Sequence, residues 1–589
     1  NWESSYEEYI AGVGYTIVNR LAALRCMEVR DFIDDEVTAF RDDGLTPAAD
    51  RLVTEEFMLE EEAVLEAYRN ACDDLAEEIE ILFDRSTVYS LIDPDDDTFE
   101  DLCGMLDKVS DEVWRGDDVL GWVYEYYNRP VVEALDAKNK LEPEDVGPAN
   151  QFYTPHWVVR MLTDNSLGKL YLEATGQESA VPEPEALSPE KRKERLVTPE
   201  DSPTVPELCT YLIPDEEAGD APEFDHPSEL RVIDPACGSG HFLLYAFDIL
   251  ERIWWKMAPE VPRSEVPEKI LEHNLFGVDL DLRACQLAAF NLYLKARSRA
   301  EQFGNSDFEM PRIGVVCADA HEVSTDLADR VFDEVAGESE ATRELLGEII
   351  DTFENTPGLG SLLDPKSSFQ KKYKQHGAEL DTPHGSDLSA LFRDVRKEVR
   401  RHTDNGSFVA ADLQSFARLL TVLSQNYDVV LMNPPYGSRG RMPETVKKYI
   451  NSNYKYPPEY YINFFEVGDR VGKENSRISM LVPHSLMYNT SFEDFRTDFI
   501  GGEGSFDFLA EFGYDILDNA TVGTVGTVIR SADTEQEVGT FVRLSDLSKE
   551  KMESGFYEGV FGKSTEEKIR RVYERRLEEF DMISSAPMT

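Results

Sequence analysis

The chain predicts an α/β fold: a doubly wound, mostly parallel sheet preceded by an all-helical domain. Three observations carry that expectation. Between residues 230 and 530, short apolar runs alternate with stretches of helical periodicity. The first 147 residues show three- and four-residue apolar spacing, as in Tyr15 to Phe32 and Glu56 to Phe83, with no chemical motif. One apolar run, Tyr427 to Met432, stops at Asn433-Pro434-Pro435-Tyr436. Proline lacks the amide hydrogen and forces its predecessor into extended geometry, so this segment makes a stiff turn at the carboxyl edge of the sheet. Open α/β sheets place their ligands at that edge.

In chain order, residues 1–147 form the helical leading domain, broken at Asp93-Pro94-Asp95-Asp96-Asp97. The segment Gln151-Phe152-Tyr153-Thr154-Pro155-His156-Trp157 starts as a loop and runs into a helix. Proline and acid dominate residues 176–229, which read as an exposed insertion. Leu230 to Asp234, Leu275 to Asp279 and Ile313 to Cys317 read as strands, with a long apolar helix starting near His241. Roughly 110 residues then separate Asp319 from Tyr427, far more than a loop needs. Helical patterns at Leu388 to His402 and Ala410 to Ser424 make 321–425 a structured insertion. Further strands are expected at Arg477 to Val482, Phe506 to Phe512 and Val522 to Arg530. The sheet domain, 148–535, gives way to a truncated region at 536–589.

Composition narrows the class. With 589 residues there is room for two to four domains. The chain opens on Asn rather than Met and is expected to be a fragment of a longer protein. No run of 18 apolar residues and no basic-then-apolar leader occur, so a cytoplasmic protein with no membrane partner is expected. Seven scattered cysteines make no Cys-x-x-Cys pair, which argues against a structural metal or a disulfide framework. The net charge is −57, from 116 Asp and Glu against 59 Lys and Arg, while 41% of residues are hydrophobic. That hydrophobic share excludes a wholly disordered acidic chain. Acid spread over every segment, with lysine scarcer than arginine, is a halophilic pattern. In molar salt the Debye length falls to about 3 Å and self-repulsion is screened. The competing explanation is a mesophilic protein that avoids nucleic acid.

Four motifs carry chemistry. Asp234-Pro235-Ala236-Cys237-Gly238-Ser239-Gly240-His241 joins a strand to a helix, and its glycines let the backbone approach a ligand. Leu243 stands where a dinucleotide fingerprint wants a third glycine, which disfavours NAD; a purely structural tight turn stays open. Asp279 ends the next strand and could grip two ribose hydroxyls, or cap the following helix. Asp319 could accept from an exocyclic adenine amine, or again only cap a helix. The Asn433-Pro434-Pro435-Tyr436 turn offers an amide, a free carbonyl and an aromatic face, suited to holding a flat amino-bearing ring. Its competing reading is a capped proline turn with Tyr436 packed into the core.

Together these motifs resemble the class I S-adenosylmethionine-dependent methyltransferases, and Asn433-Pro434-Pro435-Tyr436 makes them similar to the DNA adenine-N6 branch. Phe152-Tyr153-Thr154-Pro155 resembles that group's cofactor-methionine motif, and its position before the glycine-rich loop matches the γ order. Gly240 to Asp248, Ile270 to Asp279 and Gly358-Leu359-Gly360-Ser361-Leu362 resemble the PglX family of BREX phage-defence methyltransferases. The resemblance implies S-adenosylmethionine as cofactor, held by Tyr153, Thr154, Pro155, Asp234, Ala236, Gly238, Gly240, Asp279 and Asp319. It implies Asn433, Pro434, Pro435 and Tyr436 as the catalytic corner, and double-stranded DNA and other BREX proteins as partners. It also makes 536–589 the start of a connector or target-recognition region. Leu517-Asp518-Asn519 stands where the family often carries a second base-stacking aromatic. Arg439 and Arg441 follow the corner and are expected to touch DNA. Two other functions compete: a type IIG enzyme that also cuts DNA, for which no nuclease constellation is visible, and a cofactor-binding scaffold without turnover.

Overall fold

The computed structural model describes residues 2–83, 88–136, 138, 140–147, 153–177, 203–213, 223–318, 325–337, 339–376, 388–402, 408–437, 440–514, 516–517, 522–531, 538–562, 570–576 and 588. Among the described residues nine strands form one sheet: β1 Val232–Asp234, β2 Leu275–Asp279, β3 Gly314–Cys317, β4 Tyr427–Met432, β5 Gly472–Pro483, β6 Gly504–Gly513, β7 Thr524–Ser531, β8 Val538–Arg543 and β9 Val572–Arg576. Their spatial order is β3-β2-β1-β4-β5-β7-β6-β8-β9. Strands β1 to β5 run parallel, and β7 lies antiparallel between β5 and β6.

The continuous apolar run of β4 follows from burial on both faces. Val429 and Leu431 enter one core layer and Val430 and Met432 the other, while Tyr427, ahead of a register shift at Tyr427/Val429, also joins the second. That alternation is the two-residue period of a strand. The first layer holds the leading helices and the long helices His241–Met257 and Leu282–Gln302. The second holds the insertion helices Glu340–Asn355, Leu388–His402 and Phe408–Ser424. The insertion therefore supplies part of one of the two layers that cover the sheet, beside the helix Tyr460–Val471.

A buried carboxylate fixes the register at the centre. Asp428, at the start of β4, accepts from the Arg231 amide at 2.7 Å and from Lys473 Nζ at 2.8 Å, tying β1, β4 and β5 together at their amino ends. Further along, Arg477 on β5, Asp507 on β6, Arg530 on β7 and Glu173 form a buried ion-pair cluster, with Arg477 to Asp507 at 2.9 Å and Arg530 to Asp507 at 3.4 Å.

Several expectations shift. The helix expected over Tyr15 to Phe32 spans Trp2–Glu28, and Glu56 to Phe83 divides into Glu60–Glu78 and Glu80–Phe83 after a separate Pro47–Glu55. Thr46 caps Pro47–Glu55 by accepting from the Ala49 amide. Strand β5 extends five residues upstream of Arg477 because backbone pairing, Tyr427 with Gly472 and Ser476 with Ser531, needs no apolar side chain there. The sheet does not stop at 535: β8 pairs parallel to β6, and β9 pairs with β8. Residues 538–576 thus include strands of the same sheet rather than only the start of another unit. Among the described residues no helix is long and apolar enough to cross a membrane.

Removing the Asp428 carboxylate strands the Arg231 amide and the Lys473 ammonium together. Asp428→Ala is expected to lower the free energy of unfolding by about 2–3 kcal/mol, read from urea denaturation.

Candidate active site

Strand β1 lies between β2 and β4, so the chain turns off the sheet in opposite directions after β1 and β4. A crevice opens at such a point in doubly wound sheets. Here it is a cavity lined by Asp234, Ala236, Gly238, Asp279, Asn433 and Pro435, together with Tyr153 and Thr154. Residues that the sequence places 280 positions apart meet in one recess.

The glycine-rich turn is shaped by two left-handed residues, Gly238 at φ 52° and Gly240 at φ 91°. A Cβ on Gly240 would lie 3.2 Å from Ala288 Cβ, so the helix Leu282–Gln302 packs directly on this backbone. Asp234 is buried and accepts from the Ala236 amide at 3.0 Å; burial pushes its carboxyl well up. Asp279 accepts from the Gly238 amide and from the Asp281 amide, both at 2.9 Å. Burial raises its pKa to about 6 despite those bonds. The helix cap is Asp281, which accepts from the Arg283 amide and the Tyr124 hydroxyl. Asp279 is left to face the cavity.

On the opposite wall, Asn433 Nδ2 donates to Thr154 Oγ1 at 3.1 Å. Pro435 lines the cavity, while Pro434 is buried. Tyr436 is partly buried against the first core layer, and its hydroxyl donates to the Leu481 carbonyl at 3.1 Å. The Tyr153 ring sits 4.3 Å from Trp122 and 4.7 Å from His241, and its hydroxyl donates to Asp118 at 3.1 Å. His156 reaches the same Asp118 oxygen at 2.8 Å. Burial works against the Asp118 carboxylate, yet the His156 bond and charge hold it below the usual range. His241 is pushed down to about 4 by burial and is neutral at ordinary pH.

Two polar atoms at the cavity, His241 Nε2 and Tyr460 Oη, are buried with no hydrogen-bond partner among the described residues. Leaving such groups unmade costs on the order of 1–3 kcal/mol each. A ligand with donors and acceptors would satisfy them.

The insertion patch Gly358-Leu359-Gly360-Ser361-Leu362 forms another part of the wall. Ser361 Oγ donates to the Pro235 carbonyl, which pins the patch to the glycine-rich turn. Gly121 and Tyr124 from the leading helix Val119–Asp136 also line it, with Val146, Gly147, Tyr460 and Phe464. These six were missed because no motif marks them. The one available signal was a glycine inside a helical run: a Cβ on Gly121 would lie 2.5 Å from the His241 ring.

Pro155 begins the helix His156–Thr163 as its cap and does not line the cavity. Phe152, Asp319, Asp518, Asn519 and Arg439 lie outside the described residues. The Arg441 guanidinium donates to the Leu135 carbonyl at 2.8 Å, and its own carbonyl accepts from the Leu141 amide, which ties the leading domain to the segment after the corner.

Strand order and site together define a class I methyltransferase fold. Residues 273–514 match the Eco57I restriction-modification methylase family, and residues 225–313 match the MmeI DNA-methyltransferase domain. In sequence the chain is PglX-like. It is 24% identical over 638 residues to the adenine-specific methyltransferase PglX of Lacticaseibacillus casei (strain Zhang), covering 100% of this chain and 49% of the relative. It is 26% identical over 595 residues to the adenine-specific methyltransferase BrxX of Escherichia coli O9:H4 (strain HS), covering 93% and 46%. The chain thus spans about half the length of these curated relatives. A DrdV–DNA complex is similar at a TM-score of 0.44 and 11% identity, covering 97% of this chain and 45% of that one.

The Gly240 turn gives a direct check on the geometry. Gly240→Ala combines a left-handed backbone with a tight contact to Ala288, and is expected to destabilise by about 1–2 kcal/mol in urea unfolding.

Proposed function

We propose that this chain is the methyl-transfer part of a DNA adenine-N6 methyltransferase of a BREX-type phage-defence system, acting in the cytoplasm with S-adenosylmethionine as donor. One observation carries the reading: Asn433 and Pro435 of the corner and the glycine-rich turn with Asp279 line a single cavity. The similarity to PglX and BrxX supports the substrate class and the defence setting.

The residues fit the cofactor. Asp279 would accept from the ribose hydroxyls, and the turn of Gly238 and Gly240 would let backbone approach the methionine portion. Asp234, Tyr153 and Thr154 would surround the amino-acid end. The orphaned His241 Nε2 and Tyr460 Oη would gain partners. When bound, the cofactor supplies an electrophilic methyl group on a sulfonium.

The chain's own residues would do the positioning. Adenine N6 lies inside the duplex stack, so the base must be turned out of it. Tyr436 would stack on the ring, worth about 1–3 kcal/mol. Its hydroxyl bond to Leu481 ties the ring's orientation to β5. Thr154 occupies the Asn433 amide nitrogen, so the amide oxygen is the end that would accept from the N6 amine. The Pro434 carbonyl would accept the amine's second hydrogen. Two acceptors on one amine aim its lone pair, and the work is placement of dipoles rather than proton removal.

Two measurements test this. In a host carrying the gene, single-molecule sequencing should show N6-methyladenine with the intact protein and none with Asn433→Ala, while the variant still binds S-adenosylhomocysteine. An unchanged methylation pattern would reject the corner's role. Affinity for S-adenosylhomocysteine should also depend on Asp279. Its ionised form accepts the ribose hydroxyls, so binding should tighten several-fold as pH rises through about 6 and weaken below it. His241 stays neutral across that window. Calorimetric titration from pH 5 to 8 should lose most of this slope in Asp279→Asn.

A further inference from the structure

At the opposite, amino-terminal ends of β1 to β3 lies a second recess, of about 310 Å³. Its chemistry runs against the rest of the chain. In a protein with twice as many acidic as basic side chains, it is lined by four arginines and one glutamate. The arginines come from four separate segments. Arg231 precedes β1, Arg312 precedes β3, Arg396 sits on the helix Leu388–His402, and Arg418 sits on the helix Phe408–Ser424. Arg418 is anchored by donating to the Ile313 carbonyl at 3.1 Å. The single acid, Glu272, is engaged by Lys269 at 3.1 Å and lies 3.4 Å from His273. The nearby buried carboxylate Asp428 is held by Lys473 at 2.8 Å.

Arg312 forms no ion pair among the described residues, and Arg231 only adds to the positive charge that Lys473 already supplies at Asp428, although carboxylates outnumber cations in the chain. Converging guanidinium groups in a recess are the usual means of binding phosphate oxygens, through paired N–H donors. Duplex DNA would need an extended strip along its backbone, whereas this site is a pocket deep enough for a compact anion. It also opens at the end of the sheet away from Asn433, so it is not the place where an extruded base would enter.

We propose that this recess binds a phosphate-bearing small molecule, through Arg231 and Arg312 with Arg396 and Arg418 behind them. Thr421 and Gln414 add neutral groups to the same wall. The shared recognition element is a polyphosphate, which either inorganic pyrophosphate or a nucleoside triphosphate carries. This reading is independent of methyl transfer.

The test is isothermal titration of the chain with pyrophosphate and with ATP, at fixed ionic strength and in saturating S-adenosylhomocysteine to block the other cavity. Saturable binding of one equivalent is expected, weakened at least tenfold in the Arg231→Gln/Arg312→Gln double variant. Affinity for S-adenosylhomocysteine should stay within twofold. Equal binding of both anions would assign the site to the phosphates alone; much tighter ATP binding would assign it to a nucleotide. Arg312→Glu alters an exposed side chain and should abolish binding even if the double variant folds poorly. Absence of saturable binding by either anion would overturn the proposal. So would unchanged affinity in Arg312→Glu, or loss of duplex DNA binding alone.

Discussion

The position of β4 beside β1 is the constraint on which the rest depends. These strands are nearly 200 residues apart in sequence, yet Val232 pairs with Val429 and Ile233 with Val430. Their parallel register puts Asp234 and Asn433 at one end of the sheet, on either side of the crevice. Asp428 fixes that register from the other end, through the Arg231 amide and Lys473. A one-residue slip would exchange the two faces of β4, sending Val429 and Leu431 into the wrong layer. Core packing and site geometry are thus set by the same pairing.

Charge is distributed in the same economical way. The exterior carries most of the acid, but the ions that matter for structure are buried and matched. Arg477, Arg530, Glu173 and Asp507 join three strands and a helix at the antiparallel end of the sheet. Burying such groups is favourable only when each finds its partner. Around the cavity the balance is different: Asp234, buried, and Asp279, partly buried, have backbone amides for company, and desolvation holds their carboxyls up. A cationic ligand there would favour the ionised carboxylates.

Strands were the most legible part of the sequence. Leu275–Asp279 and Tyr427–Met432 fall where their apolar runs start and stop, because strands buried on both faces are mostly apolar; Asp428 inside the second is matched by the Arg231 amide and Lys473. The polar half of β5 was hidden because its pairing is carried by backbone alone. At the site, Asp234, Gly238, Asp279 and Asn433 were readable because strand ends, glycines and prolines constrain the backbone locally. Gly121, Tyr124, Tyr460 and Phe464 were not, since each reaches the cavity through tertiary packing that no local pattern encodes. Arg441 follows the corner in sequence, yet its guanidinium bond to a helix-end carbonyl of the leading domain is likewise set by tertiary packing.

The patch Gly358–Leu362, pinned to the glycine-rich turn by Ser361, has a consequence beyond shape. Leading helix, central sheet and insertion each give one piece of the cavity, so occupancy is felt by all three at once. By mass action, a tight ligand at 100 times its dissociation constant adds about 2.7 kcal/mol to the folded state. Here that increment would be shared among all three regions. Filling the cavity would thereby act as a clamp, making three bodies resist proteolysis and heat as one.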